Sequence, residues 1–155
     1  MKQKFHQVVY QIYPRSFQDT NQDGIGDLQG IIRRLDYLQF LGVDLIWLSP
    51  IYRSHQHDYG YDIDDYYAVD PSMGTMADFE QLVQEAKARN IGILMDMVAN
   101  HTSIHHEWFR QAVADPSSKY RDYYFIREGI NQKAPNNWMS DFGGSAWSNV
   151  NDNEY

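Results

Sequence analysis

Three segments concentrate the side chains that could do chemistry, and each follows a short apolar run. The first is Asp19-Thr20-Asn21-Gln22-Asp23-Gly24-Ile25-Gly26-Asp27. Acid, amide and acid at every second residue, followed by glycine, is how an EF-hand loop opens. Alternate side chains converge on one hard cation, and the glycine permits the sharp turn. Asp19, Asn21 and Asp23 offer side-chain oxygens, Ile25 offers its carbonyl, and Asp27 closes the set. The bidentate Glu of a true EF-hand is missing, because Gly30 stands at its place. No helix is expected before the loop either. The expectation is a calcium-organised turn rather than an EF-hand, since three carboxylates this close repel without a cation. The alternative is an ion-free loop built of Asx turns. The same segment imitates a dinucleotide fingerprint through Gly24 and Gly26. Its third glycine comes one residue late, and three aspartates stand where a pyrophosphate would bind, so that reading is rejected.

The second segment is His55-Gln56-His57-Asp58-Tyr59-Gly60-Tyr61-Asp62-Ile63. A carboxylate beside an aromatic ring suits a sugar, which takes hydrogen bonds at its hydroxyls and stacking on its apolar face. The alternative is a tyrosine-rich surface turn. The third segment is Asp96-Met97-Val98-Ala99-Asn100-His101-Thr102. Asp96 lies inside an apolar run, which is costly unless the carboxylate is paired, so a cationic partner is expected. Asn100 and His101 fall where a parallel strand delivers side chains to a site. His101, His105 and His106 lack the Glu of a zinc-binding H-E-x-x-H helix, so zinc is not expected. Asn100-His101-Thr102 also matches a glycosylation sequon, taken here as coincidence.

The elements that must carry these loops can be read from the apolar pattern. Residues 8–13, 43–48 and 91–98 read as buried parallel strands. Ile32, Leu35, Leu38 and Leu41 recur every three residues and Gly42 stops that helix. Phe79, Leu82, Val83 and Ala86 mark a second helix, opened by a capping box of Thr75 and Asp78. A third helix is expected over residues 107–114. The resulting β-α-β-α-β-α order implies an α/β fold with crossover helices. The loops 14–27, 49–74 and 99–105 then follow the strands, where such folds place their sites. Beyond about residue 114 no period survives. Three such units cannot close a barrel, so the chain is expected to be the N-terminal part of a larger protein. The alternative is a small three-layer domain with an irregular tail.

The 155 residues carry 13 Lys and Arg against 21 Asp and Glu, a net charge of −8. That balance argues against binding nucleic-acid phosphate. No apolar stretch is long enough to span a membrane. The absence of cysteine rules out disulfides, thiol catalysis and Cys-ligated zinc. Aromatic residues make up 15% of the chain, which suits stacking sites. The first ten residues hold two lysines but no apolar run, so a cytoplasmic location is expected. Oligomeric state is not legible.

Taken together the motifs resemble the alpha-amylase superfamily of glycoside hydrolases. The likeness is to its exo-acting group of oligo-1,6-glucosidases, alpha-glucosidases and trehalose-6-phosphate hydrolases. It rests on VVYQIYPRSFQDTNQDGIGDLQGI, LGVDLIWLSPIY, HDYGYDIDDY, GTMADFEQLV, ILMDMVANHTS and NNWMSDFGGSAW, which follow the family order along nearly the whole chain. The resemblance implies a (β/α)8 TIM barrel with a small domain inserted after the third strand. Residues 1–104 would then be the first three βα units, and 105–155 the start of the insertion. It implies a glucose pocket lined by Asp58, Tyr61 and His101, with Asp96 and Asn100 supporting the site. It implies structural Ca2+ at Asp19, Asn21, Asp23, the Ile25 carbonyl and Asp27. The expected partner is a small alpha-glucoside, with neither nucleic acid nor membrane.

Where the family often has Asn this chain has Tyr59, and where it often has Pro it has His55. The nucleophilic and acid/base carboxylates come from later strands in the family, so no catalytic residue is expected in this chain. The implied activity is retaining hydrolysis of terminal alpha-glucosidic bonds, with oligo-1,6-glucosidase specificity first and trehalose-6-phosphate hydrolysis as the alternative. A rival from another class is a non-catalytic sugar-binding or scaffold protein that keeps the front half of a barrel.

Overall fold

The structure, a computed structural model, describes residues 7–155. The lysines at positions 2 and 4, used above for location, lie outside the described residues. The chain forms two compact units, Met1–Ser103 and Ile104–Tyr155.

The first unit is built on a parallel sheet of β1 (Val9–Ile12), β2 (Leu45–Leu48) and β5 (Gly92–Met95), in the order β1-β2-β5. Ile12 pairs with Leu48, and Leu48 with Met95, so the three strands end level. All three lie within the spans expected from the apolar runs, but each is only four residues long. One face buries Ile12, Ile46 and Leu48 against Leu28, Ile31, Leu35, Leu38, Leu82 and Ala86 from the helices. The other face carries Val9 and Leu94, each about half exposed.

The first helical stretch is two short helices, α1 (Leu28–Arg33) and α2 (Leu35–Phe40), separated at Arg34. Its buried stripe is Leu28, Ile31, Leu35 and Leu38. The spacing of three through Ile32 and Leu41 therefore selected the wrong edges of the stripe: Ile32 is only partly buried and Leu41 is 44% exposed. Spacings of three and four, not three alone, keep side chains on one helical face. Asp27 opens α1 by accepting from Gly30 N at 2.7 Å. Gly42, at φ +79°, ends α2. Val43 N reaches Leu38 O and Gly42 N reaches Gln39 O, which is a Schellman closure.

Helix α3 (Met76–Ala88) starts with the expected capping box. Thr75 Oγ1 accepts from Asp78 N, and Asp78 Oδ2 accepts from Thr75 N. Leu82 and Ala86 are buried, whereas Val83 is 37% exposed.

The long second loop contains structure that the apolar pattern did not signal. β3 (Tyr52–Ser54) pairs antiparallel with β4 (Ile63–Val69), with two register shifts along the ladder. Asp64 and Asp65 break the alternation that marks a half-buried strand, so pairing rather than patterning defines it.

In the second unit α4 (Glu107–Ala114) has the expected bounds, and His106 Nδ1 caps it by accepting from Trp108 N. Trp108 packs against His106, Tyr120 and Tyr123. The rest is irregular, as its composition suggests. Its end is nonetheless tied back: Tyr155 and Arg127 exchange both backbone hydrogen bonds, and Gly129 N donates to Asn153 O.

Candidate functional site

The site grows from the end of β5. Asp96 N donates to Leu48 O at 3.1 Å, prolonging the parallel ladder by one bond. The Asp96 carboxylate accepts the Tyr61 hydroxyl at 2.9 Å, and its carbonyl accepts the Tyr52 hydroxyl at 3.1 Å. The cationic partner expected for Asp96 is absent among the described residues. A phenol takes that place, and a charge-assisted hydrogen bond meets the same requirement without a second charge.

Tyr61 stands at the exit of a tight turn. Gln56, Tyr59 and Gly60 all have positive φ, at 60°, 52° and 98°. Asp62 holds the turn by accepting from Ser54 Oγ, His57 N and Asp58 N. Burial alone would raise the Asp62 pKa. The donations from Ser54, Asp58 and His57 outweigh it and keep the carboxyl below its ordinary value. Tyr61 N closes back on Asp58 O at 3.0 Å. Asp58 itself is exposed on this turn. The Tyr61 phenol pKa is raised first by burial, then by its bond to Asp96 and that group's charge, and further by the charge of Asp58. The charges of Asp96 and Asp58 thus both act on the Tyr61 phenol.

His101 joins them through Nε2, 3.1 Å from the Tyr61 carbonyl. Tyr66 secures the same segment by donating to Val98 O and His101 O. Asn100 is exposed beside it. Sequence reasoning missed Tyr52, Asp62 and Tyr66, which carry the site rather than line it. Asp62 had a readable signal, an Asp following Gly60 that can cap a turn. The tyrosines had none, because their partners are backbone carbonyls 32 to 44 residues away. His55, singled out as a departure, bonds Asp64 through Nδ1, on the same hairpin.

The first loop is ordered by its own amides. Asp19 accepts from Asn21, Gln22 and Gly24 N–H groups, which hold its pKa below the ordinary value, Gly24 most strongly. Asp23 accepts from Ile25 N and the Asn21 amide, and Asn21 Oδ1 from Asp23 N. Asp27 accepts from Thr20 N, Thr20 Oγ1 and Gly30 N. A carboxylate has about four lone-pair positions, so Asp23 and Asp27, with two and three such bonds, each keep at least one for a further bond. All donors are hard oxygens, the chemistry calcium needs. No three acidic or histidine side chains converge on one point among the described residues.

The chain is similar to known proteins. The chain is 59% identical over 140 residues to an alpha-glucosidase of Pediococcus pentosaceus, covering 90% of this chain and 25% of that protein. It is 57% identical over 141 residues to a trehalose-6-phosphate hydrolase of Bacillus subtilis, and 56% over 140 to an oligo-1,6-glucosidase of Bacillus cereus, with the same coverage. The crystal structure of Bacillus licheniformis trehalose-6-phosphate hydrolase superposes with a TM-score of 0.91 at 51% identity, covering 96% of this chain and 27% of that one. The chain therefore spans about a quarter of the length of the relatives it matches. The sheet β1-β2-β5 corresponds to the N-terminal part of their TIM barrel. Residues 11–155 match the alpha-amylase family along its catalytic domain, and the chain belongs to that family.

Proposed function

We propose that this chain is the N-terminal, substrate-binding portion of a retaining alpha-glucosidase that hydrolyses terminal alpha-glucosidic bonds of short oligosaccharides, in the manner of an oligo-1,6-glucosidase. The carrying observation is the Tyr61–Asp96 hydrogen bond, with His101 on the Tyr61 carbonyl. It gathers an aromatic face, a carboxylate and an imidazole at the ends of parallel strands, where barrel sites form.

In this reading Asp58 takes hydroxyls of the terminal glucose and Tyr61 stacks on its ring. His101 binds a hydroxyl near the cleaved bond, while Asp96 and Asn100 support them. These residues bind and orient. Bond breaking belongs to two carboxylates outside this chain, one attacking the anomeric carbon and one protonating the leaving oxygen. Residues 105–155 are the start of a small domain inserted after the third barrel strand. Asp19, Asn21, Asp23, the Ile25 carbonyl and Asp27 would hold a calcium ion, whose contribution is structural. A cytoplasmic location belongs to the same reading, and fractionation tests it. No described helix is long and apolar enough to cross a membrane.

Trehalose-6-phosphate hydrolysis is the second reading, supported by the 57% identity over 141 residues to such an enzyme of Bacillus subtilis. The deciding experiment presents the full-length protein with isomaltose and with trehalose 6-phosphate, following the anomer released first by NMR. Release of alpha-glucose from isomaltose supports the first reading. Cleavage of the phosphorylated disaccharide alone supports the second. Binding without hydrolysis identifies a non-catalytic sugar-binding protein.

A further inference from the structure

One buried carboxylate takes no part in the site described above. Asp70 follows β4 directly and is 4% exposed. Its amide donates to Ile51 O at 2.8 Å, which fixes its backbone against the segment leading from β2 into β3. The carboxylate is divided between two tasks. Oδ1 accepts Ser72 N at 2.9 Å and the Ser72 hydroxyl, and so holds its own turn. Oδ2 reaches back along the chain, accepting Gln56 Nε2 at 3.1 Å and Ser54 N at 3.2 Å. Four donors match the roughly four lone-pair positions of a carboxylate. Gln56 passes this grip to the turn that carries Asp58. Its backbone is left-handed, at φ +60°, a setting that costs a residue with a side chain energy unless its surroundings hold it there. Its N–H donates to Ser54 Oγ at 2.8 Å. Its side-chain Oε1 accepts Arg15 Nη1 at 3.4 Å, from just past β1. A Cβ built on Gly60 would lie 4.0 Å from Gln56 Nε2, so the amide also packs beside the far end of the turn.

We propose that Gln56, braced between the buried Asp70 carboxylate and Arg15, is a positioning residue that fixes where the turn presents Asp58 to substrate. This rests on the reading of Asp58 as a ligand of the terminal glucose. Asp62 sets the local shape of the turn through the His57 and Asp58 amides. The Gln56 side chain ties that shape to its surroundings, at the end of β4 and past β1. A glutamine suits the task because one amide donates to a carboxylate on one side and accepts from a guanidinium on the other. The brace matters to catalysis because small misplacements of a binding group are costly in rate.

The test uses the full-length protein. Gln56→Ala removes both side-chain bonds and should move the melting temperature by only a few degrees. It should lower kcat/KM about tenfold and displace residues 57–60 in a crystal structure. Gln56→Glu keeps the length and the acceptor for Arg15 but sets a carboxylate against Asp70. The other charged or titratable groups nearby are Arg15, His57, Asp58 and Asp62, with His55 and Asp64 on the hairpin. All of them are also present in Gln56→Ala, which serves as the reference. Two carboxylates this close share one proton, so at about pH 8 the Gln56→Glu variant should be as slow as Gln56→Ala. By about pH 5 the shared proton restores the bond, and its kcat/KM should rise about fivefold over the reference. In an Asp58→Ala background Gln56→Ala should cost less than about twofold further, since no carboxylate remains to place. Losses that multiply in the double variant overturn the proposal, as does an unmoved turn in Gln56→Ala or a ratio of the two Gln56 variants that stays flat with pH. A displaced turn with activity retained in both Gln56→Ala and Asp58→Ala upholds the brace and removes the pocket reading instead.

Discussion

Tyr61 and Asp96 lie 35 residues apart, on a turn and at a strand end, and their side chains meet at 2.9 Å. The contact fastens the hairpin of β3 and β4 to the mouth of the parallel sheet. Tyr52 repeats the link from β3 to the Asp96 carbonyl. The loop that carries Asp58 is therefore anchored on one side by β3 and on the other by the turn at Tyr61.

Asp58→Ala in the full-length protein should separate a binding role from a structural one. If Asp58 holds the terminal glucose, its contacts strengthen as the ring distorts, and kcat/KM should fall about 10²-fold or more. The melting temperature should move only a few degrees, because the side chain is exposed. Activity within about threefold of wild type would remove the pocket assignment.

Asp62 predicts a pH dependence with a definite sign. Its folded pKa is depressed, so its stabilisation is complete above the unfolded value of about 3.9 and is lost as pH falls below that value through the lower folded one. Urea unfolding of wild type should weaken more steeply across that acid window than unfolding of Asp62→Asn. Parallel profiles would show that the three donors do not favour the charged form.

Gly30 and Gly24 should behave differently when replaced by alanine. A Cβ on Gly30 would lie 2.0 Å from the Gln18 carbonyl oxygen, a backbone atom that cannot yield without moving the loop. Gly30→Ala should cost about 3 kcal/mol in chemical unfolding. Gly24 has open space but a φ of +86°, so Gly24→Ala should cost only about 1 kcal/mol. Equal costs would contradict the packing.

Asp23→Ala tests the calcium proposal. Loss of one ligand should lower both the bound calcium measured by atomic absorption and the melting temperature, with the chemistry of the folded fraction intact. Wild-type protein without calcium, or a variant of unchanged melting temperature, would leave the loop to its Asx turns.

The 155-residue chain by itself should release no p-nitrophenol from an alpha-glucoside, because it holds binding groups and not the bond-breaking pair. Among the described residues β1 and β5 each pair on one side only, and open strand edges promote association. Light scattering should report that association, and turnover above a contaminant control would contradict the division of roles.

The sequence by itself determined the parallel strands, the capped start of α3 and the bounds of α4, because these follow from local periodicity and turn chemistry. It also marked Asp58, Tyr61, Asp96 and His101 as chemically unusual for their surroundings. Only the tertiary structure decided that Asp96 meets a phenol rather than a cation, and that Asp62 shapes the turn carrying Asp58. It alone joined Gln11 to Ser49 across the sheet, and it alone paired β3 with the acidic β4. Local propensity is written in neighbouring residues, whereas the contacts of Asp96 and of Gln11 with Ser49 join positions 35 to 44 residues apart, and chain geometry sets them only once the sheet has formed.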